Sequence, residues 1–410
     1  MKNRAPIFFA LFLLTHIVMG QSSSYLTQLG VEDKLYSDVF KKDKTIWVHM
    51  PADYEEGNGV VYPVVFLLDG GVFLPQLASI LHAESPGFMP EMIMVGISNR
   101  ENRTLDLTTS KVDLPYISAS GGAADFSEFI ITELIPYIDK NYPTTPYRTL
   151  IGHSYGGLFT LNMMLRHTNQ FRNYLVIDPS LDWDQQKFFK ELMSELDQLP
   201  FKNTSLYLGI ANEIPRFSDE LTLETVVNDR SDFSLNIRSN LEFANLAEKM
   251  ESEEFRFGWK FYEDELHGTI PLISMFDGLK WMFDWYTIQS PSKFNHPETP
   301  IDELITMIED RTKMLSDHFG YPVYGFPEDL LDMLGHMNLE MGMPEKSYKF
   351  FKINQKYYPE HENVYSSMAD YYISIKSYER AILETEKAYE ISGNEEFKEK
   401  IKRIKSMNKK

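Results

Sequence analysis

The 410-residue sequence contains no cysteine and little positive charge. The lack of cysteine excludes a disulfide framework, a metal site held by thiolates and a lipid-modified N-terminal cysteine. Lysine and arginine number 40 against 60 aspartates and glutamates, so the formal net charge is −20 at pH 7. Because this charge repels phosphate backbones and anionic membrane surfaces, nucleic acid is not an expected partner.

Long apolar runs are also scarce, and the most prominent lies close to the N-terminus. Lys2 and Arg4 precede a mostly apolar stretch at 7–19, which polar residues follow from Gln21 onward. This order predicts a secretory signal peptide over residues 1–20, cleaved after Gly20. The stretch is too short for a comfortable membrane span, so we expect a secreted or periplasmic protein with no stable membrane anchor after cleavage.

Hydrophobic residues make up 43% of the chain and aromatic residues 14%, enough for a sizeable core. Over residues 21–288, short β-type runs alternate with helix-compatible stretches, which predicts an α/β sandwich with a mainly parallel sheet. Two helices are predicted at 126–138 and 155–166. The predicted strands are 34–36, 45–50, 64–68, 92–97, 149–152, 174–178, 206–211 and 255–262.

A polar, proline-punctuated linker at 289–300 is predicted to separate this domain from a small all-α domain at 301–410. Several residues between 334 and 347, such as Leu334 and Glu345, recur 34 positions later in similar form, as Met368 and Glu379. A period of 34 is that of tetratricopeptide helical hairpins. Such a domain could bind a protein partner, or it could be a plain helical cap.

Residues 152–156 read Gly-His-Ser-Tyr-Gly, a G-x-S-x-G pattern between a β-type run and an apolar, helix-compatible run. In α/β-hydrolases this strand-to-helix turn exposes the hydroxyl of its central serine above the sheet. We therefore predict that Ser154 is a nucleophile.

A serine hydroxyl needs a base within hydrogen-bond reach, which in this fold is a histidine late in the domain. His267 follows the last predicted strand and fits this position. His153 lies within the strand-to-helix turn at 152–156, called the elbow below, and is interpreted as a surface or packing residue.

The third member of a triad is an acid that comes between the serine and the histidine in sequence and follows a strand. Two residues fit, because Glu213 follows the strand at 206–211 and Asp178 ends the strand at 174–178. We predict Glu213, with Asp178 as the alternative; an aspartate before a proline also favours a turn.

Two preorganised donors are needed for the developing oxyanion. The backbone N–H of Tyr155, directly after the serine, is the expected first donor. The second is predicted at Gly71, in the glycine-containing loop after the strand at 64–68. This chemistry requires no metal and no organic cofactor.

Together these residues resemble the Putative esterase family of α/β-hydrolases, which includes esterase D-like enzymes, ferric enterobactin esterases and feruloyl esterases. The resemblance spans most of residues 30–286. It rests on Leu-Tyr-Ser at 35–37, Trp-Val-His-Met-Pro at 47–51, Leu-Leu-Asp-Gly at 67–70, Asn-Arg-Thr-Leu-Asp-Leu at 102–107, Leu-Ile-Gly-His-Ser-Tyr-Gly-Gly at 150–157, Asp-Pro-Ser-Leu at 178–181 and His-Gly-Thr-Ile-Pro at 267–271.

The resemblance implies a carboxylic ester substrate, with Ser154 as nucleophile and His267 as base. Some siderophore esterases of the family resemble serine–histidine dyads, so the acid at 213 is not implied by it. The family often has two aromatic residues after Pro-Ser-Leu, whereas here Asp182 precedes Trp183. The helical tail is similar to one found on secreted members.

The sequence therefore predicts a secreted serine hydrolase that cleaves small-molecule or glycan-linked carboxylic esters through an acyl-enzyme on Ser154. Two other functions are compatible with the same residues. One is a degenerate hydrolase scaffold that recruits a protein partner through its helical repeats. The other is an acyltransferase whose acceptor is not water.

Overall fold

The structure is a computed structural model that describes residues 30–408 except 52, 53, 55, 58 and 59. The predicted signal peptide at 1–20 lies outside the described residues. Within the described ranges, no helix is both long and apolar enough to cross a membrane.

An eight-stranded sheet forms the centre of the molecule, in the order β1-β2-β4-β3-β5-β6-β7-β8. From β4 to β8 every neighbouring pair is parallel, whereas β2 is antiparallel to both β1 and β4. This confirms the predicted α/β class and all eight predicted strands. The strands are β1 Val31–Ser37, β2 Lys42–His49, β3 Tyr62–Leu67, β4 Ile93–Ile97, β5 Thr144–His153, β6 Asn173–Ile177, β7 Thr204–Ala211 and β8 Phe255–Tyr262.

Helices cover both faces of the sheet. In β3 every residue is buried, and alternate side chains enter different cores: Val64 and Phe66 on one face, Val65 and Leu67 on the other. A parallel strand buried on both faces reads as a continuous apolar run, as β3 does. The helices of this part are α1 Gly70–Phe88, α2 Arg103–Leu107, α3 Ala123–Phe129, α4 Ile135–Asn141, α5 Tyr155–Arg166, α6 Trp183–Glu195, α7 Leu223–Val226, α8 Leu235–Glu248 and α9 Ile270–Met282.

The predicted helix at 126–138 is present as α3 and α4, which a π-helical turn at Ile130–Leu134 joins. The predicted helix at 155–166 is α5. Both helices contribute to the core on one face of the sheet, whereas α1 and α9 contribute to the core on the other face.

The C-terminal region is helical, as predicted. Its helices are α10 Ser292–Asn295, α11 Ile301–Phe319, α12 Glu328–Glu340, α13 Pro344–Tyr357, α14 Glu362–Ser374, α15 Tyr378–Ser392 and α16 Glu395–Met407. The pairs α12/α14 and α13/α15 each begin 34 residues apart. A Cβ atom on Gly335 would lie 2.2 Å from Cε1 of Phe351, so the glycine permits the close crossing of α12 and α13. The assignment to the tetratricopeptide class stays a prediction.

Helix α11 packs against both parts of the chain. Its residues Leu315 and Phe319 join the core beneath the sheet, and the Phe319 ring lies 4.9 Å from the Tyr147 ring. On the same helix, Leu304 and Ile308 join the core of the C-terminal helices. The predicted boundary at 289–300 stays a prediction, and α11 contributes apolar side chains to cores on both sides of it.

Candidate active site

Ser154 occupies the sharp turn between β5 and α5. Its backbone has φ 61° and ψ −118°, a strained conformation for a residue with a side chain. A Cβ atom on Gly152 would lie 2.2 Å from the carbonyl oxygen of Gly156, and one on Gly157 would lie 3.0 Å from Pro179. A Cβ atom on Gly156 would make only ordinary contacts, the nearest at 3.5 Å from Leu68. Crowding in this elbow therefore requires glycine at 152 most strictly.

The Ser154 backbone is fixed by the neighbouring strand. Its N–H donates to the carbonyl of Ile177, the last residue of β6, at 3.0 Å, and its carbonyl accepts from the N–H of Ser180 at 3.2 Å. The Ser154 hydroxyl oxygen lies 3.3 Å from that of Ser180. The predicted nucleophile is thus held between the carboxyl ends of β5 and β6.

His267 lies in the loop between β8 and α9, and its imidazole is hydrogen-bonded to Asp178. The distance from Nδ1 of His267 to Oδ2 of Asp178 is 2.6 Å. Asp178 is 2% exposed and has φ 40°, and its other oxygen accepts from the N–H of Ala211 at 3.2 Å and from Nδ2 of Asn240 at 3.3 Å. The left-handed turn after β6 directs this buried carboxylate across the sheet edge to the imidazole.

Glu213, the predicted acid, is close to His267 but contacts its backbone. Oε1 of Glu213 accepts from the N–H of His267 at 2.6 Å, and Oε2 pairs with Arg216 at 2.8 Å. Glu213 follows β7 at the start of a short 3₁₀ turn, Ile214–Arg216, and its carboxylate bonds to the backbone of His267, whereas the imidazole ring bonds to Asp178. The hydrogen bond to the imidazole that was expected of Glu213 is made by Asp178, the alternative acid.

Opposing effects act on the pKa of His267. Burial lowers it, but the hydrogen bond to Asp178 and the negative charges of Asp178 and Glu213 outweigh burial, so the pKa lies above its ordinary value. A carboxylate that accepts from Nδ1–H keeps the proton of the neutral ring on Nδ1 and leaves Nε2 unprotonated. That nitrogen is the one able to accept a proton.

His153 contacts the loop that carries His267, and the sequence did not reveal this contact. Its Nε2 lies 2.8 Å from the carbonyl oxygen of His267, and its ring lies 4.5 Å from the His267 ring. Burial, followed by the charge of His267, lowers the pKa of His153 to about 3. A neutral imidazole beside a carbonyl must carry its proton on the facing nitrogen, so His153 donates this hydrogen bond. His153 thus packs against neighbouring rings and also donates a tertiary hydrogen bond.

The two predicted oxyanion donors each lie in the first turn of a helix. Tyr155 is the first residue of α5. Gly71 was predicted in a loop but is the second residue of α1, because the helix begins at Gly70, soon after β3 ends. The first N–H groups of a helix have no partner within the helix, so they can bind a developing negative charge. The start of α5 lies against the end of β3, because a Cβ on Gly156 would meet Leu68 and, at 3.8 Å, Asp69.

Arg103 joins these two helix starts. Its Nε lies 3.0 Å from both carboxylate oxygens of Asp69, the residue before α1, and its Nη2 donates to the carbonyl of His153 at 3.3 Å. The guanidinium also lies over the Tyr155 ring, 5.4 Å from its centre. In the sequence, the Asn-Arg-Thr segment at 102–104 contributes to the family resemblance, but its position after β4 gives no signal for this contact.

A cavity of about 250 Å³ opens beside the imidazole of His267. The residues that line it are Asp178, Ser180, Asp182, Ala211, Glu213, Arg216, Phe217, Phe233, Asn236, Ile237 and His267. Asp182, which departs from the family pattern, faces this cavity, whereas Trp183 is buried with its ring 5.1 Å from that of Tyr155. Across the described part of the chain, no group of three or more His, Asp and Glu side chains could hold a metal ion.

A serine on a strained turn at the carboxyl edge of a mainly parallel sheet, flanked by helices on both faces, defines the α/β-hydrolase fold. The chain belongs to the Putative esterase family, whose model matches residues 37–267.

Three similar proteins illustrate the relationship. The ferri-bacillibactin esterase BesA of Bacillus subtilis is 30% identical over 42% of this chain and 66% of its own length, just under two thirds. The siderophore triacetylfusarinine C esterase of Aspergillus fumigatus is 27% identical over 58% of this chain and 87% of its own. The structure of an IroE-like serine hydrolase from Shewanella oneidensis superposes with a TM-score of 0.64 at 26% identity, covering 80% of this chain and 99% of the other.

Proposed function

We propose that this protein hydrolyses carboxylic esters through an acyl-enzyme on Ser154, with His267 as general base and Asp178 as the acid that orients it. The observation that carries the proposal is the 2.6 Å hydrogen bond between His267 and Asp178, formed at the sheet edge where Ser154 occupies its strained turn. Asp178 replaces Glu213 in the proposed triad.

In the proposed mechanism, Nε2 of His267 takes the proton of the Ser154 hydroxyl as its oxygen attacks the ester carbonyl. In the structure the Ser154 hydroxyl oxygen lies 3.3 Å from that of Ser180. The hydrogen bond between a catalytic serine and its base often tightens only when substrate binds. The backbone N–H groups of Tyr155 and Gly71 would stabilise the oxyanion. His267 then protonates the departing alcohol, and a water molecule deprotonated by the same nitrogen releases the acid and restores Ser154.

The proposed substrate class is siderophore esters, because two similar proteins are named for esterase activity on siderophores. Glycan-linked esters are the alternative within the same chemistry. We also propose that the protein is exported to the periplasm or beyond, and that its C-terminal helices bind a protein partner. Both proposals follow from the sequence patterns.

The test is turnover by the purified full chain of a cyclic catecholate ester, a hydroxamate siderophore ester and acetylated glycans, with products identified by mass spectrometry. We expect hydrolysis of a siderophore ester and covalent labelling of Ser154 by a fluorophosphonate, both abolished in Ser154→Ala. An unlabelled wild-type protein would instead indicate a scaffold. Ester consumption without the free acid would indicate acyl transfer.

A further inference from the structure

The backbone of His267 is hydrogen-bonded on both sides of its Cα atom by side chains from other parts of the chain. Its N–H donates to Glu213 at 2.6 Å, and its carbonyl accepts from His153 at 2.8 Å. These partners are 54 and 114 residues away in sequence. Both bonds are thus tertiary contacts that a local turn would not supply.

The loop that carries His267 has little packing of its own at this point. A Cβ atom on Gly268, the next residue, would meet no heavy atom within 4 Å. The side chain of His267 is 35% exposed. An imidazole bonded to Asp178 by one nitrogen stays in place only if its Cα is also fixed, because each bond between Cα and the ring can rotate.

The segment after β7 holds the loop from one side. Asn212 donates from its backbone N–H to the carbonyl of Glu265 at 2.8 Å and from its side chain to that of Glu263 at 2.9 Å. Glu213 continues this contact to His267. The Glu213 carboxylate is 16% exposed and is itself fixed by Arg216.

His153 holds the loop from the other side, and it is the residue directly before Ser154. Its ring packs edge-on against Phe73, with ring centres 5.7 Å apart, which fixes the direction of Nε2. The bond from this nitrogen to the carbonyl of His267 connects the loop of the proposed base to the elbow of the proposed nucleophile. The bond therefore couples the position of the loop to that of the elbow.

We propose that His153 and Glu213 are positioning residues that clamp the backbone of His267 and so set its imidazole against Ser154. This inference rests on the proposed function. Catalytic groups displaced by about 1 Å can lose on the order of 100-fold in rate, so the clamp should contribute to kcat while leaving substrate binding nearly unchanged.

The experiment compares variants that keep or remove each hydrogen bond. His153→Phe keeps an aromatic ring but loses the donor, whereas His153→Gln keeps an N–H donor at similar reach. Glu213→Leu loses the acceptor, whereas Glu213→Gln keeps an acceptor oxygen without the charge. Asp219→Asn, at an exposed acid nearby, is the control.

We expect His153→Phe and Glu213→Leu to lower kcat about 10- to 100-fold with KM changed less than about threefold. Each Gln variant should retain at least fivefold more kcat than its apolar counterpart, and Asp219→Asn should match the wild type. Equal kcat in the Gln and apolar variants, or wild-type kcat in the apolar variants, would overturn the clamp. An inactive wild type would instead reject the proposed function.

A measurement on the wild type covers the case in which an apolar variant does not fold. The His267 amide should exchange its hydrogen slowly, because its acceptor is a carboxylate fixed within the fold. Exchange at the rate of a free loop amide would also overturn the proposal.

Discussion

Asp178 and His267 are 89 residues apart in sequence, yet the Oδ2 atom of the first lies 2.6 Å from the Nδ1 atom of the second. Asp178 is almost fully buried and also accepts hydrogen bonds from Ala211 and Asn240, so its position is fixed before any substrate binds. A carboxylate held in this way selects the imidazole tautomer that can act as a base at Nε2.

The first prediction separates the two candidate acids. We expect Asp178→Asn to lower kcat by about 10³- to 10⁴-fold, because the amide can stabilise the wrong imidazole tautomer. Glu213→Gln should cost less than about tenfold, because its oxygen still accepts from the His267 backbone. Steady-state kinetics on one ester measures both values, and a larger loss in Glu213→Gln than in Asp178→Asn would restore the sequence-level assignment.

The second prediction concerns pH. Burial lowers the pKa of His267, but the hydrogen bond to Asp178 and the charges of Asp178 and Glu213 raise it further than burial and Arg103 lower it. Activity requires neutral His267, so it should fall as pH drops through this pKa, and the midpoint of the acidic limb should lie above the ordinary pKa of histidine. Glu213→Gln removes one negative charge and should move that midpoint to lower pH. A shift to higher pH, read from kcat/KM profiles, would contradict the electrostatic role.

The third prediction compares two glycines near the site. Gly152→Ala would place a Cβ atom 2.2 Å from a backbone oxygen, so we expect a loss of about 3 kcal/mol in the free energy of unfolding and loss of fluorophosphonate labelling. Gly268→Ala meets no atom within 4 Å and has no left-handed φ, so it should be tolerated. Denaturant titration and labelling of the two variants measure the contrast, and equal stability would contradict it.

The fourth prediction concerns Arg103, which contacts both the Asp69 carboxylate and the carbonyl of His153. A lysine carries a single ammonium and lacks the planar fork that makes both contacts, so we expect Arg103→Lys to lower kcat about tenfold. The exposed Arg100, replaced in the same way, is the matched control. Wild-type kcat in Arg103→Lys would mean that the link between the two helix starts is dispensable.

The fifth prediction tests whether α11 belongs to the hydrolase core. Phe319 is 4% exposed and lies among aromatic rings, including Tyr147 at 4.9 Å and Trp285 at 5.3 Å. We expect Phe319→Ala to cost about 3–5 kcal/mol and to lower the temperature at which labelling of Ser154 is lost. Leu383→Ala, at a position 65% exposed, should change stability by less than about 0.5 kcal/mol. If labelling survives to the same temperature in both variants, the two parts of the chain are independent.

The pattern of apolar and turn-forming residues predicted the fold well, because each strand and helix has such a pattern within its own sequence. The continuous apolar run of β3 predicts a strand that is buried on both faces. The glycines around Ser154 predict a crowded turn. Both signals lie in adjacent residues, so neither requires knowledge of distant contacts. The 34-residue spacing of the C-terminal helices was likewise visible, because repeated hairpins repeat their small residues.

The sequence by itself determined the α/β class, the strand that precedes Ser154 and the loop that carries His267, because these depend on hydrophobic periodicity and turn chemistry along the chain. The tertiary structure decided which acid meets the imidazole. Asp178 and Glu213 both follow strands, and only the left-handed turn at Asp178 and the 3₁₀ turn after Glu213 direct one carboxylate to the ring and the other to the backbone. The contact of His153 with His267 joins residues 114 positions apart, and no local pattern encodes such a distance.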